Sequence, residues 1–102
     1  MSEGVRLIAA ERDRQITVEG YTAEHDEGYT AELLAAADCY RRVAYAQVLP
    51  GRVAILDTPP PTWPWAFRYW KPALDPIRNM VKAGALTAAA IDSLKAERGE
   101  TS

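Results

Sequence analysis

Apolar residues recur at helical spacing in three stretches of the chain. Over residues 3–19, Val5, Ile8, Ala9 and Ile16 share one face, while Glu11, Asp13 and Arg14 lie off it. This spacing of three and four residues is the signature of an amphipathic helix. Arg12 falls within the apolar stripe, where its aliphatic stem can cross the face while its head finds a partner. Gly20 supplies a stop, since glycine tolerates the left-handed backbone of a helix C-terminus. Residues 31–46 form the second stretch. Leu33, Ala37, Tyr40 and Ala44 make an apolar stripe; Leu34, Asp38, Arg41 and Tyr45 make a mixed one. The alanines here let a neighbouring helix approach closely. The third stretch, 76–96, opens on Asp75-Pro76, an N-cap followed by a residue suited to the first helical position. Ile77, Met80, Val81, Gly84, Ala88 and Ile91 recur on one face of it.

Between the helices the pattern changes. Residues 21–29 are a polar loop in which Thr22 or Thr30 can cap a helix, Thr30 being the better start for the second long one. Residues 43–57 hold Pro50-Gly51 between two β-prone runs, so a short hairpin competes with a longer helix there. The run 59–76 contains Trp63, Trp65, Phe67, Tyr69 and Trp70, and six of the seven prolines. Proline at that density excludes a helix. The expected architecture is therefore all-α: a three-helix domain whose second and third helices are joined by a rigid Pro/Trp-rich connector, about 47–75. Residues 97–102 are expected to be a frayed tail.

With 102 residues the chain has room for one core. A bundle this small has a thin interior. Either the tryptophan cluster supplies the missing area, or the chain forms a homo-oligomer through leftover apolar faces. The net charge of -2 argues against general nucleic-acid binding. The single cysteine, Cys39, cannot close an internal disulfide and reads as a buried small residue. No apolar run approaches the ~18 residues of a membrane span. A cytoplasmic protein without membrane contact is the expectation.

Two groups of residues carry candidate chemistry. Trp63, Trp65, Tyr69 and Trp70 interleave with Arg68 and Lys71, and Arg78 and Lys82 share a face of the third helix. Aromatic faces beside cations can stack a base and hold a phosphate, and the same residue types dominate protein-interface hot spots. Against this stands the plainer reading, that the tryptophans plug the open end of the bundle and the cations make surface ion pairs. The second group, Glu24, His25, Asp26 and Glu27, is the densest set of metal-ligand types, with Glu32 and Glu11 available from neighbouring helices. Its plainer reading is a solvated acidic loop.

Three segments carry a resemblance: residues 8–15 (Ile-Ala-Ala-Glu-Arg-Asp-Arg-Gln), residues 19–27 (Glu-Gly-Tyr-Thr-Ala-Glu-His-Asp-Glu), and Trp63-Pro64-Trp65 through Trp70-Lys71-Pro72 to Val81-Lys82-Ala83-Gly84-Ala85-Leu86. Together they resemble a family of small bacteriophage and prophage proteins, over most of the chain outside 43–61. A weaker similarity is to phage versions of the MazG-like all-α nucleotide pyrophosphohydrolases. That similarity implies a helical fold. It would place Glu11, Glu24, Asp26, Glu27, Glu32 and Asp38 around Mg²⁺, although the family's Glu-Glu-x-x-Glu motif is missing here. Glu32 and Asp38, six residues apart, fall on different faces of their helix. The sequence thus favours a phage-encoded, non-catalytic binding protein without a cofactor. It would act on a host system as an anti-defence inhibitor or by capturing a nucleotide, its partner being a host protein or a nucleotide ligand. The alternative is a divergent Mg-dependent nucleoside triphosphate pyrophosphohydrolase.

Overall fold

The computed structural model describes residues 1–100. Its helices are α1 (Glu3–Thr17), α2 (Ala23–Asp26), α3 (Thr30–Val48) and α4 (Pro76–Glu97), with one 3-10 turn at Phe67–Tyr69. No strand occurs among the described residues, so the fold is all-α, with the three long helices where the periodicity places them. The hairpin alternative fails. Helix α3 runs through to Val48, and Pro50-Gly51 instead form a turn closed by the Arg52 N–H on the Leu49 carbonyl at 3.3 Å. No described helix is long and apolar enough to cross a membrane.

Helix α4 is the axis of the molecule, and α1, α2 and α3 all pack on it. Helices α3 and α4 run antiparallel. Thr30 donates to Glu97 at one end of the pair, and Asn79 donates to Gln47 at the other. Between them lies the core: Leu33, Ala36, Cys39, Tyr40 and Val43 against Ala83, Leu86, Ala89 and Ala90, closed by Trp70. The alanines explain the close approach, because small residues let two backbones near each other while Tyr40 and Trp70 fill the remaining volume. Cys39 is fully buried, its sulfur 3.4 Å from the Thr62 hydroxyl.

The helix ends follow local chemistry. Ser2 caps α1 through the Val5 N–H, and Asp75 caps α4 through the Ile77 N–H at 2.9 Å. Thr22 caps α2, a single helical turn inside what reads as loop. Thr30 is the first residue of α3 rather than its cap. Beyond α4, Gly99 at φ +69° lets its own N–H reach the Ala96 carbonyl and the Glu100 N–H reach the Lys95 carbonyl. This is a Schellman closure, so the expected frayed tail is capped as far as Glu100; its last two residues lie outside the described ones.

Two helix faces differ from the apolar patterning. The buried residues of α1 are Glu11, Arg12 and Gln15, while Val5 and Ala9 are exposed. On α4, Ile77, Met80 and Ile91 face outward, and the buried set is Asn79, Val81, Ala83, Ala85, Leu86, Ala89, Ala90 and Ser93. The bulky partners of α4 come from α3 and the connector, so the space left on α4 itself fits small residues.

The connector is fixed by polar staples. Asn79, with no exposure to solvent, accepts from the Ala73 N–H at 2.8 Å and donates to the Ala73 carbonyl at 2.9 Å. Gln47 donates to the Ala73 and Leu74 carbonyls. Trp70 donates its indole N–H to the Leu56 carbonyl at 3.0 Å, and the Lys71 N–H donates to the Tyr40 hydroxyl. Irregular backbone can lie against a core only when its polar groups are satisfied in this way.

Candidate functional site

A cavity of about 570 Å³ opens where α1, the α1–α3 loop, α3, the connector and α4 meet. That volume lies in the range of small-molecule pockets. Its wall on the connector side is Trp63, Trp65, Tyr69 and Lys71; α3 gives Leu33 and Tyr40, and α4 gives Lys82 and Leu86. The rest of the lining is Glu11, Arg14 and Gln15 of α1 with Glu19, Tyr21, His25, Asp26 and Tyr29 between α1 and α3.

The aromatic wall is built by edge and face contacts. Trp70 stacks on Tyr40 with centroids 4.8 Å apart and meets Trp63 edge-on at 5.0 Å. Trp63 in turn stands perpendicular to Trp65 at 5.3 Å. Offset stacks and T-shaped pairs are the preferred aromatic geometries. Trp63 donates its N–H to the Ala66 carbonyl. The chain of rings thus runs from the core, where Trp70 is buried, out to the half-buried Trp65 at the cavity.

Lys82 sits at the base of that wall. Its ammonium donates to the Lys71 carbonyl and lies 5.4 Å from the Tyr40 ring centroid. Burial, and after it the positive charge of Arg78, hold the Lys82 ammonium below the ordinary lysine range. Neither Lys71 nor Lys82 makes an ion pair with any described residue. Glu11 and Glu19 lie near enough to act on Lys82 through space without pairing with it.

The loop wall is held by α4. The Ser93 hydroxyl, fully buried, donates to the Asp26 carbonyl at 2.6 Å, and the Gly28 N–H donates to Glu97. The His25 Nδ1 and Asp26 Oδ1 are 2.9 Å apart, and the His25 ring stacks on Tyr21. Burial, and then the charges of Glu19 and Asp26, raise the Tyr21 phenol, which stays neutral near neutral pH. Asp26 Oδ2 and Gln15 Oε1 are buried and have no hydrogen-bond partner among the described residues.

The aromatic-cationic residues divide into two sets. Trp63, Trp65, Tyr69, Lys71 and Lys82 line the cavity. Trp70 does not: it is 7% exposed and belongs to the core, which corrects its place on a recognition surface. Arg68 does not itself line the cavity; its guanidinium lies 4.8 Å over the Tyr69 ring. Arg78 is spent on Glu11 in an ion pair of 2.6 Å, so it offers no free charge to an anion.

The metal reading fares differently. Among the described residues no group of three or more His, Cys, Asp or Glu side chains is placed to hold a metal ion. Glu24 and Glu27 are exposed, and neither they nor Glu32 line the cavity; His25 and Asp26 do. Consecutive residues on a single helical turn point in different directions. Glu11 is already neutralised by Arg14 and Arg78, and Asp38 by Arg41 and Arg42. The six carboxylates of a pyrophosphohydrolase arrangement do not gather, so the donor set does not fit Mg²⁺.

Sequence reasoning missed Tyr21, Tyr29, Arg14, Gln15 and Glu19 as cavity residues. The two tyrosines bracket the polar loop, and that placement was the available signal; Gln15 gave none. No family model, no curated protein and no solved structure matches the chain.

Proposed function

We propose that this chain is a non-catalytic binding protein whose cavity captures a nucleotide-class ligand, a planar ring system carrying an anionic group. The observation that supports it is the pairing, in one cavity, of an aromatic wall with two lysines, Lys71 and Lys82, that form no ion pair among the described residues. Stacking on Trp65 or Tyr69 accounts for the ring, and Lys71 and Lys82 account for the anion. An anion beside Lys82 would also offset the desolvation that depresses its ammonium. In the setting the phage resemblance suggests, capture would remove a signal or substrate from a host system. The scattered carboxylates weigh against the metal-dependent hydrolase.

The test is thermal unfolding with a panel of linear and cyclic nucleotides, each with and without Mg²⁺. A ligand at 100 times its Kd stabilises the folded state by about 2.7 kcal/mol. The expected result is a Tm rise that needs no Mg²⁺ and is lost in Trp65→Ala and Lys82→Ala. A rise that requires Mg²⁺ would restore the hydrolase. The absence of any rise would remove the nucleotide reading and direct attention to a protein partner. For that partner the exposed Val53, Ile55 and Leu74 of the connector are the available apolar contacts.

A further inference from the structure

The side of the α3–α4 hairpin that faces away from the cavity is apolar and exposed. Successive residues of a helix are ~100° apart. On α3, Leu34, Arg41 and Tyr45 therefore lie across the helix from Cys39, which meets Thr62 of the connector. On α4, Met80, Thr87 and Ile91 lie across from Lys82, which bonds the Lys71 carbonyl of the connector. The connector thus covers one side of the hairpin, and both stripes share the other. Leu34, Tyr45, Ile77, Met80 and Ile91 are each about half exposed there. Helix α1 meets the margin of this face, where Ile8 lies on Gly84. Contiguous apolar surface of this kind marks an interaction site.

The order of residues in the two stripes says what fits them. On α4 the positions 77, 80, 84, 87, 91 and 94 follow the three- and four-residue spacing of a helix–helix seam. They read alike in both directions. Ile77 mirrors Leu94, Met80 mirrors Ile91 and Gly84 mirrors Thr87, about a centre between residues 85 and 86. On α3, Leu34 mirrors Tyr45 and Asp38 mirrors Arg41, about a centre between residues 39 and 40. The two centres stand at one level, because Thr30 meets Ser93 and Glu97 at one end of the hairpin and Gln47 meets Asn79 at the other. We infer that this face docks a second copy of the chain, turned by a two-fold axis that crosses both helices at that level. The two hairpins then form a four-helix bundle, α3 antiparallel on α3 and α4 antiparallel on α4. Such an interface needs a surface complementary to itself. Here large apolar residues meet toward both ends and small ones at the middle of α4, while each Asp38 lies beside the partner's Arg41 rather than a like charge. Asp38 already bonds Arg41 and Arg42 of its own helix, at 2.8 and 2.7 Å, so the two clusters close into one network. The face is ~26 Å long and ~20 Å wide, from ~1.5 Å of rise per residue and ~10 Å per helix. Two such faces bury on the order of 1,000 Å², the lower end for a specific interface. The dimer is therefore reversible and depends on concentration, and the cavity, on the opposite side, stays open.

The deciding experiment is analytical ultracentrifugation of the full chain over a range of concentrations. The expected result is a mass that moves from one chain toward two as concentration rises. Met80→Glu should abolish the dimer; the side chain is half-exposed, so the helical circular-dichroism signal should persist. Arg41→Asp and Asp38→Arg should each weaken association by about 10-fold or more, because like charges then face each other. Mixed in equal amounts, those two variants should associate with each other as the wild-type chain does with itself. A single-chain mass at every concentration would overturn the proposal, and this wild-type series stands whether or not a variant folds. A dimer indifferent to Met80→Glu would also overturn it, since the contact would then lie on another face. Sensitivity to Met80→Glu without recovery in the mixture would overturn the antiparallel pairing of α3 on α3.

Discussion

The two long seams along α4 are sealed by different chemistry. Toward α3, α4 presents Ala83, Leu86, Ala89 and Ala90 to Leu33, Ala36, Cys39 and Tyr40, a dry contact closed by Trp70. Toward α1, the seam is polar. Glu11 is clamped by Arg14 and Arg78, Arg12 reaches Asp92 at 3.1 Å and the Tyr21 carbonyl at 2.8 Å, and one apolar knob, Ile8, sits against Gly84. Apolar burial stabilises in proportion to area and ignores pH. Buried ion pairs gain little net energy but are costly to break singly. The α3–α4 hairpin is accordingly the stable body of the protein. Helix α1 is held more conditionally, and the cavity lies on the junction between the two.

The largest effect should come from the dry seam. Trp70 loses its stack on Tyr40, its edge contact with Trp63 and its bond to the Leu56 carbonyl when cut to alanine. Such truncations cost about 3–5 kcal/mol, and at this size each kcal/mol moves Tm by about 4–8 °C. Urea unfolding of Trp70→Ala should therefore show a midpoint far below wild type, or no folded baseline. A loss below about 1 kcal/mol would mean that the connector is not part of the core.

A smaller effect, distinguished by its pH dependence, belongs to the polar seam. Burial pushes the Glu11 carboxyl up, but the hydrogen bonds from Arg14 and Arg78 outweigh it and hold the group below its ordinary 4.5. A carboxyl depressed in the folded state contributes stability above its unfolded pKa and loses it as pH falls through the folded value. Wild-type stability should thus decline as pH drops below about 4.5. Glu11→Gln should cost about 1–3 kcal/mol near neutral pH and flatten that acid limb. Asp38 is also depressed, by Arg41 first and then Arg42, but it is partly exposed on α3. Asp38→Asn is the control, with a loss under about 1 kcal/mol. An acid limb unchanged in Glu11→Gln would show that α1 is not held by this cluster.

The same contrast explains what could be read from the chain. The stripe Leu33, Ala37, Tyr40 and Ala44 is buried throughout, and Asp75-Pro76 caps α4, because apolar periodicity and cap chemistry report local structure directly. The buried face of α1 was illegible because periodicity assumes that what is buried is apolar, and there it is Glu11, Arg12 and Gln15. Their partners Arg78 and Asp92 lie 67 and 80 residues along the chain, beyond any local pattern. The site shows the same division. Trp63, Trp65, Tyr69 and Lys71 cluster in sequence and cluster in space. The loop opposite looked like a metal site because four ligand types are consecutive, yet one helical turn spreads them. Its contribution to the cavity depends on how Ser93 and Glu97 anchor it.

The smallest effect tests an apolar contact in the polar seam, Ile8 against Gly84. A Cβ built on Gly84 would fall 2.6 Å from the Ile8 Cδ1 and 2.9 Å from its Cγ1. Glycine inside a helix costs about 1 kcal/mol relative to alanine, so its presence in α4 calls for a compensating contact. Gly84→Ala gains that propensity and must push Ile8 aside. Ile8 is partly exposed but stiff at χ1, and its Cγ1 as well as its Cδ1 must move, so the clash should offset the propensity gain, with a net change under about 1 kcal/mol. The informative quantity is the coupling. In an Ile8→Ala background the clash is gone, and Gly84→Ala should stabilise by about 1 kcal/mol more than it does alone, read from a double-mutant cycle. Coupling near zero would mean that α1 does not seat on α4 through Ile8. The seam would then rest chiefly on the Glu11 and Arg12 bonds, and the cavity beside it would open whenever those bonds do.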